Sequence, residues 1–158
     1  MSADYIAFDR DFAQEYVLRV EVGQATAPDG ATRVQVDGVG TLEAAQYRRG
    51  GEAPNVEPKN REQKEGEGEG ERVTGKLAPD EAAKLFEQAS LAPWGRPFPQ
   101  RPGIPDEAIV EVRFERARRG GATVKLWLRD AEKDVAVGPI LAQLRRHLKE
   151  LSGGRIYL

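Results

Sequence analysis

The stretch that decides the fold is DEAIVEVRFERARRGGATVKLWLR, residues 106–129. Apolar side chains alternate with charged or polar ones in residues 106–116 and again in residues 122–129, and a basic, glycine-containing segment separates the two halves. A period of two places every second side chain on the same face of a strand. The stretch therefore predicts an antiparallel hairpin with one apolar face and one charged face.

An amphipathic helix is predicted on each side of this hairpin. The first covers residues 79–89 and begins at Pro79, because proline at the first helical position loses no needed hydrogen-bond donor. Its acidic first turn, Asp80-Glu81, suits the positive end of the helix dipole. The second helix covers residues 139–151 and ends before Gly153. Apolar residues form one stripe on each helix, made of Ala82, Leu85, Phe86 and Ala89 on the first and Ile140, Leu141, Leu144, Leu148 and Leu151 on the second.

Shorter strands are predicted in the first half of the chain. Residues 15–23 alternate apolar and polar side chains, and the alternation resumes over residues 33–36 after a Pro-Asp-Gly turn. Residues 41–48 follow an Asp-Gly turn signal and predict another strand, although the Glu-Ala-Ala within them would also suit a helix. Residues 72–77 add a short strand. We therefore expect an α+β fold with a mostly antiparallel sheet of five or six strands, covered on one face by the two helices.

Residues 49–72 differ in composition from the rest of the chain and include the run EGEGEGE at residues 65–71. Glycine maximises backbone entropy, neighbouring glutamates repel, and few apolar side chains are present to bury. We expect a long, disordered, acidic loop inserted in a single domain that spans residues 1–158. The segment can be an insertion without a function of its own. The alternatives are that it attracts a basic partner or that it binds divalent cations weakly.

Three other segments carry separate expectations. The N-terminal arm is too apolar for a free tail, so we expect it to pack on the body or on a partner. Residues 130–134 are expected to form a polar turn, and the apolar C-terminus, residues 155–158, to pack as an edge strand. The apolar residues of the arm are Tyr5, Ile6, Phe8 and Phe12.

Composition limits the function classes. The 158 residues include one histidine and no cysteine, and the formal net charge is −2. Apolar runs are too short to cross a bilayer and the N-terminus lacks the order of a signal peptide, so we expect no membrane association and a cytoplasmic location. Residues 1–95 hold 11 basic and 18 acidic residues, whereas residues 96–158 hold 13 basic and 8 acidic ones. The second part is therefore the positive one.

The sequence offers little for catalysis. Asp106 and Glu107 are adjacent, so a strand would direct them to opposite faces. His147 lies at the border of the apolar stripe of the second helix, and the sequence signals no nucleophile or carboxylate beside it. Neither a zinc-ligand spacing nor a phosphate-binding glycine motif occurs. We predict no catalytic residue, no metal, no cofactor and a protein that is not an enzyme.

Five side chains are predicted to contact a partner. Trp94 and Phe98 lie in a proline-rich loop after the first helix, and such a stiff segment loses little entropy when it docks. Arg113, Lys125 and Trp127 belong to the charged face of the hairpin, where we expect Trp127 to lie beside the other two. The alternatives are that the loop aromatics close the end of the core and that Trp127 stacks on a guanidinium.

The order of these features resembles that of several small bacterial α+β domains. The run GKLAPDEAAKLF, residues 75–86, precedes the proline-rich loop, the Pro105-Asp106 step, the hairpin with two glycines at its turn and the leucine-rich helix. Over residues 73–151 this order is similar to uncharacterised bacterial proteins and to the emfourin-type inhibitors of thermolysin-like metalloproteases. The resemblance implies a non-catalytic domain that occupies the surface of a partner. The first strands and the acidic insertion have no counterpart in it, and no inhibitory residue can be carried over.

The favoured hypothesis is therefore a non-catalytic domain that binds another protein, with an inhibitory or regulatory role. The first alternative is a nucleic-acid-binding accessory protein, which the acidic insertion and the negative total charge oppose. An enzyme acting on a small molecule is the third hypothesis, and the poor catalytic inventory makes it the weakest. A nucleic acid would be contacted by Arg113, Arg118, Arg119, Lys125 and Arg129 beside Trp127.

Overall fold

One antiparallel sheet organises the chain. The computed structural model describes residues 7–23, 31–47, 69–94, 96–98, 107–156 and 158. Within these residues the sheet has six strands in the order β4-β3-β2-β1-β5-β6, so the predicted α+β class and strand number are confirmed. The strands are β1 (Tyr16–Gly23), β2 (Ala31–Asp37), β3 (Thr41–Tyr47), β4 (Glu69–Lys76), β5 (Ile109–Arg116) and β6 (Gly120–Trp127). The helices are α1 (Pro79–Ala89), α2 (Leu128–Lys133) and α3 (Val137–Ser152), and a 3₁₀ helix at Arg10–Glu15 precedes β1.

Strand β1 lies in the interior of the sheet and pairs with both β2 and β5. At its centre, Val20 is opposite Val34 on one side and Val112 on the other. Every second side chain of β1, beginning with Tyr16, is buried. The period of two that the sequence shows thus separates a core-facing side from a solvent-facing side across neighbouring strands.

The helices cover one face of the sheet. Helix α1 has the predicted bounds and buries the predicted stripe, with Leu85 and Phe86 fully enclosed. Helix α3 packs against α1 and buries Ile140, Leu144 and Leu148. Removing such a side chain from water stabilises the fold by about 1.5–3 kcal/mol. Within the described ranges, none of the helices combines the length and the apolar character that a membrane span requires.

Aromatic rings fill one end of the core beneath α1. The ring centroids of Tyr16 and Phe114 are 5.3 Å apart, and Phe86 lies 5.8 Å from Phe114 and 6.1 Å from Tyr16. Phe8 approaches Tyr16 edge-on at 5.0 Å and Phe86 at 5.3 Å. This cluster therefore joins the N-terminal arm, β1, α1 and β5.

The described part of the N-terminal arm packs on the body of the protein. The hydroxyl of Tyr16 donates to the carbonyl of Ala7 at 2.8 Å and accepts the amide of Asp9 at 3.0 Å. The turn between β2 and β3 closes the other side, because a Cβ at Gly38 would collide with the backbone of Ala13. Of the two predicted alternatives, packing on the body is correct for residues 7–15. Tyr5 and Ile6 lie outside the described residues.

The prediction of a polar turn at residues 130–134 is wrong, because a short helix, α2, occupies most of this segment. Leu128 and Ala131 are three residues apart and pack on the core from one side of that helix. Asp134 follows it, and its carboxylate accepts the backbone amides of Ala136 and Val137 at 2.9 Å each. These bonds explain why α3 begins at Val137, two residues before the predicted start.

The described residues of the C-terminus pack on the core, but they do not form the predicted edge strand. Gly153 and Gly154 have φ values of 65° and 89°, which turn the chain back after α3. Ile156 is buried and its amide donates to the hydroxyl of Ser152 at 3.0 Å. Since that hydroxyl also donates to the carbonyl of Leu148 at 2.7 Å, the segment is fixed by a hydroxyl bridge and needs no strand partner.

Strand β4 begins earlier than predicted. It starts at Glu69, so the end of the glutamate-glycine run is part of the sheet, where Glu69 is opposite Tyr47 and Arg72 opposite Ala45. The rest of the predicted insertion, residues 49–68, lies outside the described residues, as does the Pro-Asp-Gly turn between β1 and β2.

Replacing Leu85 with Ala should lower the free energy of unfolding by about 2–5 kcal/mol, because it opens a cavity in a fully buried position. Leu91 lies six residues further on and is 66% exposed, so the same truncation there should change stability by no more than about 0.5 kcal/mol. Urea denaturation followed by circular dichroism measures both. Equal losses for the two variants would contradict the described packing of α1.

Candidate protein-binding surface

The side of the sheet that faces away from the helices is charged, and we call it the outer face. Its central part is lined by Arg19 and Glu21 on β1, Arg33 and Gln35 on β2, and Glu111 and Arg113 on β5. These six residues form a shallow groove of about 410 Å³ that is open to solvent. Thr123 and Lys125 extend the same face onto the edge strand β6. None of the described helices packs on this side.

Part of the outer face neutralises its own charge. The guanidinium of Arg19 donates to Gln35 at 2.8 Å and lies 3.1 Å from the carboxylate of Glu115. Arg33 donates to the carboxylate of Glu21 at 3.0 Å. These pairs lie on β1, β2 and the C-terminal end of β5. Each pair is exposed enough that solvent screening keeps its contribution to the stability of the fold small.

The other part, on β5 and β6, holds charges that have no ion-pair partner among the described residues. Within that part of the chain, Arg113 donates only to the hydroxyl of Thr123, at 3.3 Å. Glu111 and Lys125 are opposite each other in the register, yet within the described residues neither makes a salt bridge. Two of the predicted contact residues, Arg113 and Lys125, are thus on one exposed surface with unused hydrogen-bonding capacity.

The strand register also places like charges opposite one another. Arg19 is opposite Arg113, and two residues along the strands Glu21 is opposite Glu111. Like charges in such cross-strand positions destabilise a sheet. Arg19 turns toward Glu115 and Glu21 pairs with Arg33, which leaves Arg113 and Glu111 as the uncompensated members.

The predicted aromatic residues do not lie beside Arg113. Trp94 is half-buried and stacks on Phe114 at 6.4 Å, so it closes the end of the core, one of the two roles that the sequence allowed. Phe98 packs on Trp127 at 4.9 Å. Trp127 is on the outer face but is opposite Ile109, and the expectation that it lies beside Arg113 is wrong.

The register explains this error. Arg113 is opposite Thr123, four residues before Trp127, because the turn between β5 and β6 is only three residues long. The sequence suggested a five-residue turn, which would shift the pairing. Lys125 is two residues from Trp127 on the same side of β6, so that part of the expectation agrees with the alternation of the strand.

The basic residues considered for nucleic-acid binding are spread along the hairpin. Arg118 and Arg119 are in its turn, with Arg118 at a positive φ of 66°, whereas Arg129 is in α2 at the other end of β6. An eight-residue strand separates these ends, which corresponds to roughly 25 Å. Glu111 and Glu115 stand on β5 beside that path.

His147 is buried at the contact between α1 and α3. It is 6% exposed, and its Nε2 lies 3.5 Å from the carboxylate of Glu81, which is also 3.6 Å from Arg146. Glu81 in turn accepts the amide of Ala78 at 3.4 Å and so caps the start of α1. No group of three or more His, Cys, Asp or Glu side chains that could hold a metal occurs in the described part of the chain.

One polar cluster was not anticipated from the sequence. Arg116, at the end of β5, donates to Glu15 at 2.8 Å and lies over the rings of Phe12 and Tyr16 at 4.9 and 5.3 Å. The hydrogen bond with Glu15 raises the pKa of Arg116. Because Glu15 and Arg116 are far apart in sequence, no local pattern could have indicated this contact.

Comparison with known proteins adds no identification, since no protein-family model matches the chain and no curated protein matches its sequence.

A structural role for Trp94 can be tested by two substitutions. Trp94→Ala should lower the free energy of unfolding by about 2–4 kcal/mol, because it removes the ring that packs on Phe114. Trp94→Phe keeps a ring and removes an indole N–H that is buried and has no hydrogen-bond partner among the described residues, so stability should stay within about 1 kcal/mol of the wild type. Urea denaturation gives both values, and a large loss for Trp94→Phe would show that the indole N–H has a partner.

Proposed function

We propose that this protein is a non-catalytic protein-binding domain that contacts its partner through the outer face of the sheet. The observation that carries the proposal is the exposed charge on β5 and β6, where Arg113, Glu111 and Lys125 have no ion-pair partner within the described part of the chain. Charged groups with free hydrogen-bonding capacity on a flat surface favour recognition by a surface of complementary charge.

The sequence also suggested the proline-rich loop and the N-terminal arm as contact surfaces. In the described residues, the aromatic side chains of both segments already pack on other parts of the fold. Trp94 packs on Phe114, and Phe98 packs on Trp127. Phe8 is half-buried and packs on Tyr16 and Phe86. A side chain that already packs inside its own fold has less apolar surface left to offer a partner, so the proposal rests on the charged face.

The shape and the charge pattern of the outer face support a protein partner over the alternatives. Its groove is shallow and open, whereas small molecules are usually bound in concave, mostly apolar pockets. A nucleic acid would meet the carboxylates of Glu21, Glu111 and Glu115 between the arginines, and these repel phosphates. A protein can present both signs of charge in a matching pattern.

The proposed consequence of binding is inhibition or regulation of the partner by occupation of its surface. This part of the proposal is supported by the resemblance of residues 73–151 to small bacterial domains that include the emfourin-type metalloprotease inhibitors. The outer face lies partly in that region, since β5 and β6 are within it.

Reversing two charges on the outer face should remove partner binding. We expect the double variant Arg113→Glu, Lys125→Glu to bind at least about tenfold more weakly, because two uncompensated cations become anions at the contact. The matched control is Lys84→Glu, Lys149→Glu, which changes the net charge equally on exposed positions of α1 and α3. Wild-type and both variant proteins serve as baits in extract, captured proteins are identified by mass spectrometry, and the affinity of each candidate is then measured by calorimetry.

A protein retained by the wild type and the control, but lost with the outer-face variant, supports the proposal. Recovery of the same proteins by all three baits would refute the role of this face. Binding of a fluorescent single-stranded oligonucleotide that weakens steeply with salt, and is lost only in the outer-face variant, would favour the nucleic-acid alternative.

A further inference from the structure

We propose that the outer face binds a second copy of this chain, so that two sheets pack face to face in a symmetric homodimer. This inference rests on the proposed function, because it names the partner of the same surface. It is carried by the arrangement of charges on β1 and β5, which matches its own image under a two-fold rotation.

The central charges form two rows that run across the strands. The Arg row contains Arg19 and Arg113, which are opposite each other, and the Glu row contains Glu21 and Glu111, also opposite each other. The rows are two residues apart along each strand, a distance of roughly 7 Å. Each row therefore carries one sign of charge, and the two signs are neighbours.

A two-fold axis between the two rows makes the face complementary to itself. The axis would lie in the plane of the interface and cross the strands at the level of Val20 and Val112, which are opposite each other between the rows. This rotation brings the Arg row of one subunit onto the Glu row of the other. Arg113 then faces the partner's Glu111, and Arg19 faces the partner's Glu21. Both contacts occur twice, as an isologous interface requires.

The residues at the ends of the rows fit the same rotation. Gln35 extends the Arg row onto β2 and Thr123 extends it onto β6, whereas Arg33 and Lys125 extend the Glu row. Arg33 would therefore face the partner's Gln35, and Lys125 would face the partner's Thr123. No pair of like charges is formed along the two rows, and each of the four end positions gains a polar neighbour.

The single subunit contains a reason to prefer this arrangement. Arg19 is opposite Arg113 and Glu21 is opposite Glu111, so the two central residues of each row repel each other within one sheet. A second copy places the opposite charge over each row and relieves this repulsion. Arg113 and Glu111, which lack ion-pair partners in the described residues, would gain them.

The size and composition of the face predict a weak dimer that depends on ionic strength. Six strands about 4.8 Å apart and some seven residues long give each subunit a face of roughly 600 Å². Two such faces in contact make an interface near the lower end of the size range of specific interfaces. Sheets that pack face to face are aligned within about 30°, which keeps corresponding rows in contact near the centre. Since the contacts are charged and partly exposed, salt should weaken them.

Charge reversal and complementation test the inference. Sedimentation equilibrium at about 50 mM salt should show a dimer for the wild type, with a dissociation constant that rises at least about tenfold at 0.5 M salt. Arg113→Glu places a carboxylate against the partner's Glu111, and Glu111→Arg places a guanidinium against the partner's Arg113. Each variant alone should be monomeric. An equimolar mixture of the two should form a heterodimer, because both contacts are then of opposite sign. Circular dichroism confirms that each variant is folded, as expected for exposed positions.

Two results would overturn the inference. One is a wild type that stays monomeric up to about 1 mM, and the other is a dimer that neither substitution weakens. A monomeric wild type whose Arg113→Glu, Lys125→Glu variant nevertheless loses a captured protein would leave the proposed function intact and refute only the second copy as partner. Failure of the mixture to associate, with both variants folded, would refute the two-fold alignment of the rows.

Discussion

The pairing of β1 with β5 is the contact on which the rest of the structure depends. It joins residues that are 86 to 100 positions apart, from Gly23 opposite Ile109 to Tyr16 opposite Arg116, and so connects the N-terminal strands to the hairpin and its helices. Because side chains alternate along a strand, one pairing sets two surfaces at once. The even-numbered residues of β1 enter the core, and Arg19 and Glu21 are placed beside Arg113 and Glu111 on the outer face.

Local patterns were sufficient for most of the fold. The alternation in β1, β5 and β6 and the apolar stripes of α1 and α3 depend on residues within a few positions of one another, and each was predicted with the correct type. The errors concern two short segments that composition alone did not decide. Residues 155–158 are mostly apolar, which suited a strand, but the hydroxyl of Ser152 accepts the amide of Ile156, and the chain bends there. Residues 130–134 are polar, yet Ala131 is needed in the core, and a helix delivers it there.

The candidate site was predictable in kind but not in arrangement. The charged side of the hairpin, with Arg113 and Lys125, follows directly from its alternation. The position of Trp127 relative to Arg113 depends on the length of the turn, and a difference of two residues in that length changes which side chains are opposite. The like-charge pairs between β1 and β5 depend on a register between distant strands, which no pattern in a single sequence reveals. For the same reason the cluster of Glu15, Arg116 and Phe12 was not foreseen.

A sheet that helices cover on one side exposes its other side to solvent, and this limits the side chains that the exposed side can carry. An apolar outer face would aggregate, and a face with one sign of charge would repel itself across closely spaced strands. A pattern that mixes both signs of charge avoids aggregation and self-repulsion. Rows of opposite sign also make the surface sensitive to where the charges of a partner lie, as well as to their sign. Such a face needs no cavity and no reactive side chain to be specific, since a partner with a shifted pattern would meet like charges. Strand β1, whose buried side chains build the core, therefore also limits which surfaces can dock against the sheet.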